Sequence, residues 1–499
     1  MNHVRVRFAP SPTGYMHIGG LRTALFNYLF ARHHGGEFIL RIEDTDRSRY
    51  VEGALENLIH VLEWAGLDYD EGPFIGTEGK IQEKGGCGPY IQSERVKAGI
   101  YNQYINQLLE EGKAYYCFCS KERLDQVRAS QKEKGQTPRY DGHCRSISLE
   151  EARKRAEAGE EYVIRLKLPE HTDISFTDLV KGKITINTDE MDDQVLIKSD
   201  GFPTYHFAVV IDDYLMGISH VVRGEEWISS TPKHVYLYQA FGWAPPVFVH
   251  LPTVLGEDHK KLSKRNGDVS VESFLDKGYL PQALVNYISL LGWSPESNEE
   301  ILSDQDLKKF FDFDRISTNG GIFDVKKLNW MNQEYIKKLP LEEAEASFKK
   351  YLTQAGLIDI TYPEEKLRLV TETYQNRTEH FSQVPDYTRR LFLSSEDLSY
   401  DEDAREAIQS EQARKILTIF EEKVKNAPSF DRDFCSGLVK EIQKETGIKG
   451  KNLWFPIRSA VVGQTSGPDF TNTLLVLGRE EVISRLNRVK KEQKDKPSA

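Results

Sequence analysis

Val4-Arg-Val-Arg-Phe8, then Ala9-Pro-Ser-Pro-Thr-Gly14, then a stretch with apolar residues at 21, 24, 25, 28 and 29, then Gly35-Gly36 and Phe38-Ile-Leu-Arg-Ile42: these residues decide the fold. The first segment alternates strictly, which is the period of a strand. The Pro/Gly-rich segment reads as a loop. Apolar residues at 21, 24, 25, 28 and 29 line one face of a helix, and Gly35 and Gly36 stop it. Phe38–Ile42 reads as a second strand. Strand, helix and strand in so short a span make a βαβ unit. That implies a parallel sheet with a ligand crevice at the carboxyl ends of its strands.

Outward from this unit, residues 101–112 read as helical, and 115–200 mix short strands with charged helices such as 149–159. Near Tyr205 a strand–helix alternation reopens, with strands at Phe207–Ile211 and Val221–Val222, a helix over 231–241, a strand at Val247–Leu251 and a loop over 255–268. From about 270 the pattern is helical to about 488. The expected fold class is α/β: a Rossmann-like nucleotide-binding domain in two halves, 1–100 and 201–268, split by an inserted domain at 101–200. A connecting region at 269–335, an all-helical domain at 336–488 and a polar tail at 489–499 without fixed structure complete the expected organisation. Residues 75–88, rich in Gly and charge, read as an exposed loop.

The 499 residues include 39% hydrophobic and 29% charged residues and carry a net charge of −11, a globular composition with material for several cores. The richest apolar stretch, Ala283 to Trp293, is broken by Asn286 and Ser289, so no membrane partner is expected. The start of the chain shows no cationic-then-apolar leader. Five Cys do not make a disulfide framework and fit a reducing, cytoplasmic setting. The net charge taken alone argues against nucleic acid. The basic stretches 444–458 and 485–496, read on charge alone, are solvated surface.

Two motifs carry chemistry. Pro10-Ser-Pro-Thr-Gly-Tyr-Met-His17-Ile-Gly-Gly20 lies between strand and helix. Its glycines admit a polyphosphate to the backbone, the helix start offers free N–H groups, and His17 can donate to a phosphate oxygen as charge builds. Lys261-Leu-Ser-Lys-Arg265 places three cations on one loop, able to clamp a triphosphate and its leaving pyrophosphate. Each motif alone reads equally as something ordinary: a Gly-rich turn with a surface His, or a solvated basic turn.

Together the two resemble the signature motifs of the class I aminoacyl-tRNA synthetases, usually written HIGH and KMSKS, with Gly20 in place of the second His. Arg7 to Gly14 with Arg41-Ile-Glu-Asp-Thr-Asp46 resembles the glutamate-specific branch, bacterial type. The resemblance continues through Gly88 to Arg95, Phe202 to His206, Asp212 to Met216, Arg223 to Trp227, and Gly450 to Arg458 with Gly467-Pro468, and so spans nearly the whole chain. It implies a ligase that converts glutamate and ATP, with Mg2+, to glutamyl-adenylate and pyrophosphate. The enzyme then esterifies the 3'-terminal adenosine of tRNA(Glu), with tRNA(Gln) a further acceptor left open, and binds tRNA before activating glutamate. A monomer is the family's default.

Carried over residue by residue, the resemblance makes His17 and Lys264 catalytic. Pro12, Thr13, Gly14, His17, Gly19, Gly20, Lys261, Ser263, Lys264 and Arg265 bind ATP, while Arg7, Ser11, Glu43, Tyr205 and Arg223 bind glutamate. Val209 stands where some relatives have Asn. The inserted domain would hold the acceptor end, 269–335 the stem, and 336–488 the anticodon. Trp454 and Phe455 with Lys449, Lys451 and Arg458 suit that last task, or the two aromatics are core of a helical bundle. Some members bind zinc through two Cys, a third about 25 residues later and a His two further on. Cys117, Cys119 and Cys144 match the first three, but the last position is Ser146, a poor ligand, and zinc is not expected. The rival readings are a catalytically inactive tRNA-binding paralogue, a paralogue that glutamylates a tRNA base, and a small nucleotidyltransferase. His17, Lys264, Glu43 and Arg223 speak against the first, and the long helical half against the other two.

Overall fold

A computed structural model describes residues 3–263 and 269–495. The chain divides into two compact units, Met1–Phe274 with Leu284–Asp324, and Leu275–Ala283 with Val325–Ala499.

In the first unit, β1 (Arg5–Phe8) and β2 (Glu37–Leu40) pair in parallel with Arg5 opposite Glu37 and Phe8 opposite Leu40, joined by the helix Ile18–His33. This is the expected βαβ unit. Gly36 has no alternative at its position, because a Cβ there would lie 2.2 Å from the Val4 carbonyl oxygen. The alternation in β1 does not mean one solvated face: Val6, Arg7 and Phe8 are all buried, and Arg7 is buried because it belongs to a charged network described below. The Gly/charge-rich stretch is not a plain loop. It folds as a hairpin of β3 (Gly72–Ile75) and β4 (Ile81–Lys84), antiparallel, because Gly79, with φ 73°, closes a tight turn back to Gly76.

Three short antiparallel strands, β5 (Ala114–Cys117), β6 (Val163–Leu166) and β9 (Val195–Ile197), form a sheet in the order β5-β6-β9. The hairpin β7 (Asp173–Asp178) and β8 (Gly182–Asn187) joins β10 (His220–Gly224) and β11 (Val247–Leu251) in the order β10-β11-β7-β8, with β10 and β11 parallel. Strands of the 101–200 stretch thus share a sheet with the later strands of the nucleotide fold. β10 starts beside β1: the amide of Ser219 donates to the Arg5 carbonyl.

Phe207–Ile211 is not a strand. It lies within the helix Tyr205–Leu215 and is buried throughout. A five-residue apolar run surrounded by core has no polar face from which its period can be read, which is why helix and strand look alike there.

The second unit is helical, as expected, with helices that include Val325–Lys338, Leu341–Gln354, Glu364–Tyr374, Glu411–Asn426, Arg432–Thr446, Lys451–Val462 and Arg479–Asp495. Two points differ from the sequence reading. The last helix runs to Asp495, through most of the stretch expected to be a tail without structure; the residues after it lie outside the described ones. The basic stretch 485–496 is not wholly solvated: Arg485 is fully buried, donating to the carbonyls of Val461 and Leu393 and paired with Glu481 at 2.8 Å. Its guanidinium ties backbone that would otherwise be buried unpaired.

Candidate active site and a cavity in the helical unit

The chain after the second motif, the basic loop, returns to the first through an antiparallel bridge between His17 and Ser270, with the Ile18 amide donating to Val269 and the Val271 amide to Met16. The loop itself is held at its base by the Leu255–Lys261 bridge and the Leu262 amide on the Val254 carbonyl. Lys261 and Ser263 are described; Lys264 and Arg265 lie outside the described residues.

His17 caps the helix Ile18–His33, its Nδ1 accepting from the Gly20 amide at 3.2 Å. An Nδ1 that accepts leaves the proton of the neutral ring on Nε2, so Nε2–H is the free donor at the helix start. Desolvation and then the Lys261 ammonium hold its pKa below the ordinary imidazole value, which keeps the ring neutral. Gly19 packs against this ring, and a Cβ there would come within 3.2 Å of it. The loop before it is tied to the strand end: the Glu43 amide donates to the Pro10 carbonyl and the Val51 amide to Pro12. Thr13 donates its amide to the Ser11 carbonyl, and Ser11, Thr13 and Gly14 are exposed at the crevice.

Behind this rim lies a network that sequence reading found only in part. Arg7 does not pair with Glu43. It grips Asp213 with Nε on Oδ1 at 2.9 Å and Nη2 on Oδ2 at 3.3 Å. Arg41 bridges Asp213 at 2.7 Å and Glu43 at 3.1 Å. All four are buried. Burial alone would raise the Asp213 pKa, but Arg7 and Arg41 outweigh it and hold the carboxyl below its ordinary value. At Glu43 burial wins over Arg41 and Arg7 and pushes the pKa up to about 7. Beneath, Asp212 accepts from Arg95 at 2.7 Å, and from Gln92 and Tyr101 at 2.9 Å each. The signal was there: two adjacent aspartates on an apolar helix must be buried or at its edge, and buried carboxylates need arginines.

Arg223, near the end of β10, donates Nη1 to the Tyr205 hydroxyl at 3.1 Å, Nη2 to Thr231 at 2.8 Å and Nε to His250 Nε2 at 3.1 Å, with His234 Nδ1 also 3.2 Å from Nη1. His250 is held from behind by Asp178, 2.7 Å from Nδ1. Since the carboxylate accepts at Nδ1, His250 presents a lone pair at Nε2 to the guanidinium. Burial, then Arg223, pushes the His234 pKa far down; His250 is lowered by burial despite Asp178. Both rings are therefore neutral. Tyr205 packs on Trp227 with centroids 4.2 Å apart. Its hydroxyl pKa is raised by burial and feels Arg223, Glu43, Arg7 and Asp213, so both halves of the network lie near Tyr205. Val209 is buried apolar core. Thr231, His234 and His250 reach Arg223 from other segments, and no local spacing announces them.

Cys117, Cys119 and Cys144 converge, with their sulfurs within 4.8 Å of one another. Cys119 and Cys144 are 3.6 Å apart, and the Tyr140 hydroxyl lies 3.5 Å from Cys117 and 3.6 Å from Cys119. A tetrahedral zinc with Zn–S of about 2.3 Å separates its sulfurs by about 3.8 Å. Ser146 remains a poor fourth ligand, and the Tyr140 hydroxyl is an oxygen close to two of the thiols. The three thiols lie close enough together to hold a metal ion.

The second unit contains a cavity of about 260 Å³ lined by Tyr374, Arg377, Tyr387, Arg390 and Arg458 together with Gly467-Pro468. Tyr374 and Tyr387 stack at 5.2 Å. Arg390 donates to the Ser399 carbonyl and Arg458 to the Pro468 carbonyl at 3.0 Å. Arg377 makes no hydrogen bond among the described residues. Trp454 is 39% exposed and Phe455 half-buried, with Lys451 over the Phe455 ring at 5.7 Å; they are surface on the helix Lys451–Val462, whose core positions are Leu453 and Ile457.

Among the described residues no helix is long and apolar enough to cross a membrane. Residues 3–330 match the catalytic domain of the class I tRNA synthetases for E and Q, and 332–490 match an anticodon binding domain. The chain is 56% identical to the glutamate–tRNA ligase of Finegoldia magna and 50% identical to that of Clostridioides difficile, covering 98% of this chain and 99% of each relative. The crystal structure of a glutamate tRNA ligase from Elizabethkingia meningosepticum, in complex with its amino acid, superposes with a TM-score of 0.89 at 38% identity, over 98% of this chain and 99% of that one. The chain belongs to the glutamate–tRNA ligase family of class I aminoacyl-tRNA synthetases.

Proposed function

We propose that the protein joins L-glutamate to AMP at the expense of ATP and then transfers the glutamyl group to the 3'-terminal adenosine of tRNA. The observation that carries this reading is the approach of the two motifs, far apart in sequence, on a domain that also buries three guanidiniums in polar networks. Those are Arg7, Arg41 and Arg223, set against Asp213 and Glu43, with Asp178 behind His250. Glutamate brings two carboxylates and one ammonium. Four of the five Arg223 N–H groups are committed to Tyr205, His234, Thr231 and His250, so its remaining Nη2–H and the Tyr205 hydroxyl together take one carboxylate. Arg7, with Nε and Nη2 on Asp213, takes the other through Nη1, and ionised Glu43 takes the ammonium.

The α-carboxylate then attacks the α-phosphorus of ATP in line, forming the P–O bond to the adenylate as the bond to pyrophosphate breaks. His17, neutral with its proton on Nε2, donates to the charge that builds on phosphate oxygens. Lys261 and Lys264, with Ser263 and Arg265, neutralise the departing pyrophosphate, and Mg2+ arrives with ATP. Pro12, Thr13, Gly14, Gly19 and Gly20 shape the backbone against the nucleotide.

The 101–200 region holds the acceptor end and the helical unit the anticodon. A base splayed from a loop is stacked on aromatics and read at its edges, and the cavity of Arg377, Arg458 and two stacked tyrosines suits that. A monomer working in the cytoplasm completes the reading. Charging purified tRNA(Glu) and tRNA(Gln) with labelled glutamate tests it. Charging of tRNA(Glu) is expected, the tRNA(Gln) arm decides discrimination, and charging of neither would overturn it.

A further inference from the structure

We propose that His33, His34 and Asp312 form a binding site for a divalent late first-row transition-metal ion, on the side of the nucleotide fold away from the active site. The two imidazoles end the helix Ile18–His33, and the carboxylate follows Phe311 on a separate segment of the same unit. Nε2 of His34 lies 3.3 Å and Nε2 of His33 4.0 Å from Asp312 Oδ2, and the three ligand atoms lie within 4.8 Å of one another.

The other atom of two of these groups is already committed. His33 Nδ1 faces the Lys308 carbonyl at 3.2 Å. A carbonyl only accepts, so the neutral ring carries its proton there and turns the Nε2 lone pair toward Asp312. Asp312 Oδ1 accepts the Phe313 amide at 2.6 Å, leaving Oδ2 for the imidazoles. Such outer hydrogen bonds, fixing the tautomer of a histidine and the rotamer of a carboxylate, are what orient metal ligands.

The rings have little freedom. His33 and His34 meet edge-to-face at 4.7 Å, His34 meets Phe30 at 4.5 Å, and Phe30 stacks on Phe313 at 4.2 Å. A lone pair facing a carboxylate oxygen is satisfied by a cation between them, a proton or a metal ion. The negative end of the helix dipole favours a cation at this end too. The side chains are 29%, 27% and 38% exposed, so an ion can enter and water can fill its remaining positions. Two imidazoles and one carboxylate suit zinc, cobalt or nickel rather than magnesium or calcium. His17 caps the opposite end of the same 16-residue helix, about 24 Å away at 1.5 Å per residue. The ion would therefore pin the helix without touching the chemistry.

Cobalt(II) titrated into the untagged full chain, followed by calorimetry and absorption, tests this. Thiolate ligation at Cys117, Cys119 and Cys144 shows as intense charge transfer, which an imidazole–carboxylate site lacks. The parent is expected to take one equivalent without that band and to melt at a higher temperature with it. His34→Gln and Asp312→Asn should each weaken this equivalent at least tenfold, while Cys144→Ser leaves it unchanged. If the parent takes cobalt only with the charge-transfer band or not at all, or if His34→Gln and Asp312→Asn both bind as the parent does, the site does not exist.

Discussion

Replacing Arg223 by Gln removes the cation of the glutamate pocket while keeping a side chain able to hydrogen-bond. Its four partners, Tyr205, Thr231, His234 and His250, are neutral, and among the described residues no carboxylate lies within ion-pair distance; Asp178 is reached only through His250. Arg223 is 5% exposed, so the free protein already bears the cost of desolvating a cation that the substrate carboxylate then pairs. Loss of one partner from such a pair costs about 2–4 kcal/mol of binding. At about 1.36 kcal/mol per factor of ten, kcat/KM for glutamate should fall about 30- to 900-fold. The free protein should not melt earlier by more than the equivalent of about 1 kcal/mol, because losing the donors to His250 and Tyr205 is offset by no longer burying a charge. Steady-state charging with glutamate and ATP varied separately reads the effect. A raised KM for ATP with that for glutamate spared would refute the pocket, and a collapse of the fold would refute the claim that Arg223 serves the ligand rather than the core.

Glu43, with its pKa raised to about 7 by burial, must ionise to receive the substrate ammonium. So kcat/KM for glutamate should rise about tenfold per pH unit up to about 7, and Glu43→Gln should lower the plateau and flatten that limb. The stability sign is opposite: the raised pKa favours the protonated fold, so this contribution is complete below the ordinary carboxylate range and is lost as pH climbs through about 7. His17→Ala should slow adenylate formation by about two orders of magnitude, the scale for one lost transition-state donor, and rapid-quench measurement of glutamyl-adenylate checks it. Arg377→Ala should raise the KM for tRNA and leave those for glutamate and ATP unchanged; an unchanged tRNA KM would remove the cavity from the RNA path. Elemental analysis of chelator-washed protein should find about one tightly held zinc per chain, lost on Cys144→Ser, and a zinc-free parent would show that the thiols are plain core.

Where local pattern is enough, the fold was readable: β1, the loop and the Ile18–His33 helix stand where periodicity and glycines put them. The Tyr205–Leu215 helix was misread because its apolar run is buried all round. Residues 72–84 form a hairpin that Gly content disguised as a loop. The resemblance singled out Arg7, Glu43, Tyr205 and Arg223, and the structure buries Arg7, Glu43 and Arg223 in charged and polar networks with Tyr205 bonded to Arg223, but the pairing within those networks was not legible. Arg7 holds Asp213 across 206 positions of chain, and Arg223 rests on His250 and Thr231 from other segments. Contacts of that kind leave no spacing in the sequence. Tyr140 escaped notice beside the thiols for a related reason, since phenol is not among the ligands that cysteine spacing prompts one to seek.

The most direct test of the central claim is ATP–pyrophosphate exchange by the purified full chain with each amino acid in turn, with and without tRNA(Glu). Exchange is expected with glutamate and tRNA(Glu) together, weak with glutamate alone, and absent with glutamine. Exchange supported by another amino acid in place of glutamate, or none with glutamate and tRNA(Glu) both present, would contradict it.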